Sequence, residues 1–166
     1  MSLTARYRLP LVLQCLVLLI PVNVYVIGDW LGNGVQWVLF RYQQSYMGNS
    51  LILVSRDIAH VTTGVIAGRS AISLLFWIAG SVLFILALLL AIFAAMHEEP
   101  AYFKKGGLLT IAGGVSLLLA IIMQYGPAFS GPAGFAVPIG IPVIFIIGWL
   151  LYTGKYEDPD SVRDPE

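Results

Sequence analysis

The two histidines are the first candidates for a chemical role, because imidazole binds metals and transfers protons near neutral pH. His60 lies between two apolar stretches, and His97 lies at the end of the second one. If that stretch crosses a membrane, the two imidazoles are about 30 Å apart and cannot share one metal or haem. His97 also precedes Glu98, Glu99 and a proline, which is typical of a polar helix end. We therefore predict no metal site and no bound cofactor.

Two further polar features need a role. His60, Asp57 and Arg56 are close in sequence and could form a small polar cluster, for which a structural or solvated role is favoured. Asn23 follows Pro21 within an apolar stretch, where its amide can bond to a neighbouring helix with a free energy of ~0.6–2 kcal/mol. Packing between helices is the main interpretation of Asn23. A polar position in a ligand or lipid pocket is the alternative.

Other chemistry is excluded by what the sequence lacks. The four apolar stretches defined below contain no charged residue, whereas ion-driven transport and catalysis within a membrane usually need one. The sequence has no zinc-protease motif, glycine-rich phosphate loop, nucleophile elbow or CxxC pair. Its single cysteine, Cys15, cannot form an internal disulfide or a cysteine-based metal site. These absences predict that the protein is not an enzyme.

The composition places the chain in a membrane. Its 166 residues are 58% hydrophobic and 11% charged, whereas a soluble domain is about half apolar and about a quarter charged. So few charges cannot cover the surface of a soluble protein, which excludes a soluble enzyme and a disordered regulator. Nine basic and nine acidic residues cancel, so no basic surface for nucleic acid is expected. The lipid bilayer is the predicted partner.

Four stretches are apolar and long enough to cross a membrane core, which takes roughly 20 residues of helix. They cover about residues 9–28, 71–96, 107–125 and 137–152. We predict an all-α integral membrane protein in which residues 1–154 form a single domain, a bundle of four transmembrane helices. Residues 155–166 are predicted to be a short polar cytoplasmic tail.

Basic residues indicate which way the bundle faces, because loops rich in Lys and Arg remain in the cytoplasm. Six of the nine basic residues fall on one side of the four-span arrangement: Arg6, Arg8, Lys104, Lys105, Lys155 and Arg163. This asymmetry predicts a multi-pass protein of the cell membrane with both termini in the cytoplasm. The long loop at residues 29–70 then faces outward.

The long outer loop is rich in aromatic residues, and its apolar positions follow helical spacing. Five aromatic residues are candidate interaction residues: Trp30, Trp37, Phe40, Tyr42 and Tyr46. Amphipathic helices with such rings lie in the membrane interface, so we predict one helix here and a second short helix after Ser50. The β-branched residues of the second segment also permit a strand pair, as in the outer domains of claudin-type four-span proteins. The resemblance to that family is limited to topology, because its tryptophan motif and paired outer cysteines are missing.

Small residues in the third stretch recur every four positions, at Ala112, Ser116 and Ala120. This spacing lets two helix backbones approach closely. Packing inside one chain is the main interpretation, and contact between subunits is the alternative. Before the fourth helix, residues 131–142 include three prolines, which predicts an irregular connection with Pro142 in the first helical turn. A segment that lines a cavity is the alternative.

The sequence therefore favours a non-enzymatic structural or assembly protein. It would act through its outer loop and its small-residue helix faces, because an apolar outer loop with few charges is a candidate protein–protein surface. The predicted partners are further copies of the chain, in a homo-oligomer, or other subunits of a membrane complex. The first alternative is a channel or transporter with an uncharged path between subunits. The second is a quinone- or haem-associated subunit of an electron-transfer complex, with ligands from partner chains.

Overall fold

The computed structural model describes residues 5–28 and 31–154, so the predicted tail at residues 155–166 lies outside it. Five helices lie in these ranges: α1 (Ala5–Leu19), α2 (Val54–Thr62), α3 (Gly68–His97), α4 (Ala101–Tyr125) and α5 (Ile141–Thr153). Six strands accompany them: β1 (Asn23–Ile27), β2 (Gly32–Gln36), β3 (Phe40–Ser45), β4 (Gly48–Leu53), β5 (Ser130–Gly131) and β6 (Gly134–Val137). The strands form one antiparallel sheet in the order β4-β3-β2-β1-β6-β5.

The prediction of an all-α four-helix bundle is wrong, because the outer loop folds mainly as strand. β2, β3 and β4 occupy the place of the predicted interfacial helix. In the described part of residues 29–70, the helical residues are those of α2 and the first turn of α3, which begins at Gly68. The first predicted span also changes character, since α1 ends at Leu19 and β1 follows. Pro21 disfavours helical backbone at the residue before it, and the β-branched residues after it favour a strand.

Two of the described helices are long and apolar enough to span a membrane, by length and composition. α3 has 30 residues and α4 has 25, and a span needs roughly 20. α1 has 15 residues and α5 has 13, so each is shorter than a span. Of the four predicted spans, only the second and third therefore match helices of spanning length in the described part of the chain.

A glycine sets the distance between α4 and α5. A Cβ atom on Gly107 would lie 2.5 Å from the backbone nitrogen of Tyr152 and 2.8 Å from the carbonyl oxygen of Gly148. Such contacts are shorter than a carbon atom tolerates, so a larger residue would push the helices apart. Close packing of α5 on α4 therefore depends on glycine at this position.

Contacts at the helix ends show that α1 and α5 run between the same two ends as α3 and α4. The Tyr7 hydroxyl, near the start of α1, donates to the Glu98 carbonyl oxygen at the α3–α4 turn, at 2.9 Å. At the opposite end, the backbone N–H of Gly140 before α5 donates to the carbonyl oxygen of Val22 before β1, at 3.0 Å. The sheet therefore covers one end of the helices, and the α3–α4 turn lies at the other.

The two faces of the sheet have different surroundings. The inner face lies against the helices, and its residues Tyr25 and Ala136 are 4% and 3% exposed. On the outer face, the strand register aligns one apolar residue from each of five strands. This set, called the outer row below, consists of Leu51, Tyr42, Val35, Val24 and Val137. Four of its five members are exposed, all except Val35, so the row is an open apolar surface.

Candidate functional site

A cavity of about 430 Å³ lies between the inner face of the sheet and the adjoining ends of α3 and α4. Small-molecule sites usually have volumes of about 300–1,000 Å³. The sheet contributes five polar side chains to its lining: Asn23, Tyr25, Gln36, Arg41 and Gln43. The helices contribute mostly apolar ones, among them Leu74, Trp77, Leu117 and Ile121. The cavity thus has one polar wall and one largely apolar wall.

An ion pair connects the polar wall to α2. Nη2 of Arg41 lies 2.8 Å from Oδ1 of the fully buried Asp57, and Nδ1 of His60 lies 3.8 Å from the same oxygen. The Arg41 guanidinium also lies over the Trp77 ring, 5.7 Å from its centre, which is cation–π geometry. Burial raises the pKa of Asp57 above its ordinary value of 3.8, and the positive charge of Arg41 offsets only part of that rise. The pair thereby holds α2 against β3.

Asn23 lines the cavity from β1, a strand rather than the predicted helix, and is only 1% exposed. Its Nδ2 donates to Oε1 of Gln36 on β2 at 3.1 Å. Its Oδ1 accepts no hydrogen bond from any described residue, and Nε of Arg41 likewise finds no acceptor among them. An unpaired buried polar atom costs about 1–3 kcal/mol. The lining residues of the cavity therefore include one unused acceptor and one unused donor.

Tyr25 reaches across the inner face because it faces a glycine. Tyr25 on β1 is paired with Gly34 on β2, and a Cβ atom at Gly34 would lie 2.5 Å from Cζ of the Tyr25 ring. Without that atom, the ring crosses β2 and its hydroxyl donates to Oε1 of Gln43 on β3, at 3.4 Å. Burial raises the pKa of the Tyr25 phenol above its ordinary value of 10.0, so the hydroxyl stays protonated at neutral pH.

Three side chains fasten the β2–β3 connection to the helices. Nε1 of Trp77 on α3 donates to the carbonyl oxygen of Trp37 at 3.1 Å. Oγ of Ser81, one turn further along α3, donates to the carbonyl oxygen of Val38. Nε1 of Trp37 donates to the carbonyl oxygen of Leu19 at the end of α1, at 3.0 Å. These bonds fix the sheet over the helices and so define the width of the cavity.

Strand β4 forms one edge of the sheet, and its outward side pairs with no strand in the described part of the chain. The backbone N–H of Val54, directly after β4, donates to the carbonyl oxygen of Leu39 at 3.0 Å. Alternate residues of an antiparallel strand direct their backbone groups to the same side, so the residues two and four before Val54 also face β3. The N–H and C=O groups of Asn49, Leu51 and Leu53 therefore point away from the sheet.

The sheet separates the described members of the five aromatic residues that are predicted to form an interaction surface in the outer loop. Trp37 and Phe40 stack on each other at the β2–β3 connection, with ring centres 4.8 Å apart. Tyr42 belongs to the outer row, and Tyr46 is 82% exposed at the β3–β4 turn. Trp30 lies outside the described residues. Tyr42 and Tyr46 are thus the members of this set that are exposed near the free edge.

The small residues of α4 lie mostly against α3 of the same chain. Oγ of Ser116 donates to the carbonyl oxygen of Phe76 at 2.7 Å. The carbonyl oxygen of Ala120 accepts a hydrogen bond from Oγ of Ser73, also at 2.7 Å. Ala112, by contrast, is exposed. Two of the three predicted contact residues are therefore used in packing within the chain.

Arg41, Gln36 and Gln43 were not predicted to lie close to Asn23 and Asp57. One signal was available, because Arg41 is a rare charged residue in an apolar segment and an acidic residue follows sixteen positions later. The three residues share the inner face only when residues 32–45 are read as strands, in which alternate side chains point to one side.

Neither His60 nor His97 lines the cavity. The described residues contain no group of three His, Cys, Asp or Glu side chains close enough to hold a metal ion. Nδ1 of His97 is 3.1 Å from the carbonyl oxygen of Phe93, one helical turn back, and its ring stacks on Phe93. His97 therefore interacts locally at the end of α3, away from the cavity.

Comparisons with known proteins assign no family to this chain. A scan against models of protein families finds no match, and a search of the curated proteins finds no significant match either. Function must therefore be inferred from the cavity and from the exposed surfaces of the sheet.

Proposed function

We propose that this protein is a non-enzymatic integral membrane protein that assembles with a second copy of itself through the free edge of its sheet. The observation that carries this proposal is the character of β4. Exposed edge strands usually carry a charge, a proline or a bulge that blocks pairing with another chain. The six residues of β4, GNSLIL, contain neither charge nor proline, so nothing in the strand opposes pairing.

The backbone geometry favours one register for this pairing. A twofold axis through Leu51 places this residue opposite its own counterpart and places Asn49 opposite Leu53 of the second copy. All three outward-facing residues are then paired, which forms about six backbone hydrogen bonds in an antiparallel ladder. The same register joins the outer rows of the two copies into one continuous apolar band.

This symmetry is compatible with two copies in one membrane. An axis perpendicular to the sheet leaves the inner face of each sheet on the same side. Both sets of helices then extend in the same direction from a joint sheet of twelve strands. α3 and α4 of both copies can therefore cross the same bilayer side by side.

We further propose that α3 and α4 make the protein multi-pass, with the sheet outside the cell. Lys104 and Lys105 lie at the start of α4, at the end of the helices opposite the sheet, and basic residues favour the cytoplasmic side. The contact between Tyr7 and Glu98 brings the start of α1 to that same end. α5 also ends there, because Tyr152 packs on Gly107, so both termini are cytoplasmic.

The mass of the protein in a mild detergent tests this proposal, and we expect a dimer. Leu51→Lys would place two positive charges opposite each other in the paired strands, which is destabilising, so we expect a monomer. Leu31→Lys is the matched control, because Leu31 is 57% exposed against 59% for Leu51 but lies in the β1–β2 connection, and this variant should stay dimeric. A monomeric wild type, a dimeric Leu51→Lys variant or a complex with a different subunit would contradict the proposal.

A further inference from the structure

The cavity under the sheet contains polar atoms that the chain leaves unpaired. Asn23 is 1% exposed, and its side-chain amide has a partner in Gln36 at one end only. A half-turn of both amides would exchange donor and acceptor but would still leave one end of Asn23 unpaired. A hydroxyl group can donate and accept, so it matches either arrangement. Nε of Arg41, which has no acceptor among the described residues, offers a donor to a second oxygen.

The charge of the lining restricts the ligand to a neutral molecule. Among the described residues that line the cavity, Arg41 is the one that carries a charge. Its charge is compensated by Asp57, which is fully buried at 2.8 Å. An anionic ligand would compete with this carboxylate, and a cationic one would meet the guanidinium. A neutral ligand leaves the ion pair intact and meets no unbalanced charge.

The shape of the lining suits a ring with one polar edge and one apolar face. The rings of Tyr25 and Tyr125 lie 6.5 Å apart at an angle of 32°, and Trp77 lies on the wall opposite the sheet. Aromatic faces pack against C–H groups. Gln36 and Gln43 on the sheet provide further donors and acceptors. Sugar rings have this combination of C–H faces and hydroxyl edges.

We propose that the cavity binds an uncharged, hydroxyl-bearing group of about the size of a monosaccharide. The group can come from a free sugar or from the headgroup of a glycolipid. The cavity lies at the sheet end of α3 and α4, which is headgroup level if these helices span the membrane. A glycolipid could therefore place its sugar in the cavity while its chains remain in the bilayer.

Two binding experiments distinguish a free sugar from the headgroup of a glycolipid. The protein is purified in lauryldimethylamine oxide, a detergent without a sugar, and titrated with methyl β-glucoside by calorimetry and tryptophan fluorescence. A second sample is placed in phosphatidylcholine nanodiscs with and without monoglucosyl diacylglycerol. Saturable binding of methyl glucoside supports a free sugar, and a thermal shift with the glycolipid alone supports a headgroup. No response in either arm, or an equal response to phosphocholine, would overturn the proposal.

Matched variants locate the binding. Asn23→Leu removes the unpaired amide and should weaken binding three- to tenfold. Asn33→Leu makes the same change on the outer face of the sheet, where Asn33 is exposed and pairs with Val26, and should leave binding unchanged. Gln124→Leu, on the helix side of the cavity, should also weaken binding. This variant tests the site if Asn23→Leu does not fold. Binding at wild-type strength by both cavity variants would contradict the assignment.

Discussion

A cysteine at position 51 should form a disulfide between two copies of the chain if their edge strands pair as proposed. In that register, Leu51 faces its counterpart in a hydrogen-bonded antiparallel pair, in which the Cα atoms are about 5.5 Å apart. A disulfide needs a Cα separation of about 4.4–6.8 Å, so the two Cα atoms lie within the range that a disulfide can bridge. The native Cys15 is exposed, and the experiment therefore uses a Cys15→Ser background.

The energies of the interface determine how the disulfide must be trapped. Leu51 is 59% exposed, and covering it is worth about 1–2 kcal/mol per copy. About six strand hydrogen bonds add ~3–9 kcal/mol. Association costs ~4–15 kcal/mol because the two copies lose translational and rotational freedom, and this cost is of the same size as the gains. The dimer should therefore be reversible. Disulfide formation removes two electrons from the two thiols, so copper phenanthroline with dissolved oxygen is added as the oxidant, and the disulfide then traps the paired state.

The assay is a non-reducing gel of oxidised membranes, and single-cysteine variants test the register. Leu51→Cys should give a dimer band. Asn49→Cys and Leu53→Cys should each stay monomeric, because identical positions are then displaced by about 13 Å along the strands. A mixture of those two variants should cross-link, since these positions face each other. A stronger band from Ser50→Cys than from Leu51→Cys, or none from Leu51→Cys, would refute the register.

Three further predictions concern the fold and the cavity. Burial raises the pKa of Asp57 above 3.8, so the folded state holds the carboxyl proton more tightly than the unfolded state. Stability therefore falls as pH rises from the ordinary pKa through the raised one. Asp57→Asn should lack this slope in thermal unfolding, and parallel curves for the two proteins would argue against it. Gly34→Ala should cost about 1–3 kcal/mol of unfolding free energy because its Cβ collides with Tyr25, and unchanged thermal unfolding would contradict this. Ser116→Ala should lower the free energy of unfolding by about 0.5–1.5 kcal/mol in the same measurement, because Ser116 bonds to Phe76 within the chain. The mass of the oligomer should stay unchanged, and a change in that mass would instead indicate a contact between subunits.

The long helices were predictable because hydrophobic length alone defines them. The predicted stretches at 71–96 and 107–125 fall within α3 and α4, whose sequences contain no proline that would interrupt them. Pro142 lies in the first turn of α5, where a missing N–H costs least. Hydropathy could not separate α1 from β1, however, since Leu-rich helix and Val-rich strand form one apolar run across Pro21.

The sheet was missed because its pattern is the reverse of the usual one. In most sheets on a core, apolar residues face inward and polar residues face outward. Here Gln36, Arg41 and Gln43 face the cavity, while Val35 and Tyr42 face outward. These outward residues also fit a helical spacing with their neighbours. An inverted pattern of this kind is expected where a sheet lines a polar cavity and presents an apolar face to a partner.

The Arg41–Asp57 pair connects the two proposed sites. Arg41 lines the cavity from β3, which pairs with β4, and Asp57 lies on α2, which continues directly from β4. Leu51 and Asn23 each belong to one of these sites. Leu51→Lys should abolish the dimer without changing sugar affinity, and Asn23→Leu should weaken sugar binding without changing the mass of the assembly. Asp57→Ala should weaken both, because it leaves the Arg41 guanidinium without its partner and removes the contact that holds α2 against β3. An Asp57→Ala protein that loses only one property would show that the ion pair serves that site alone.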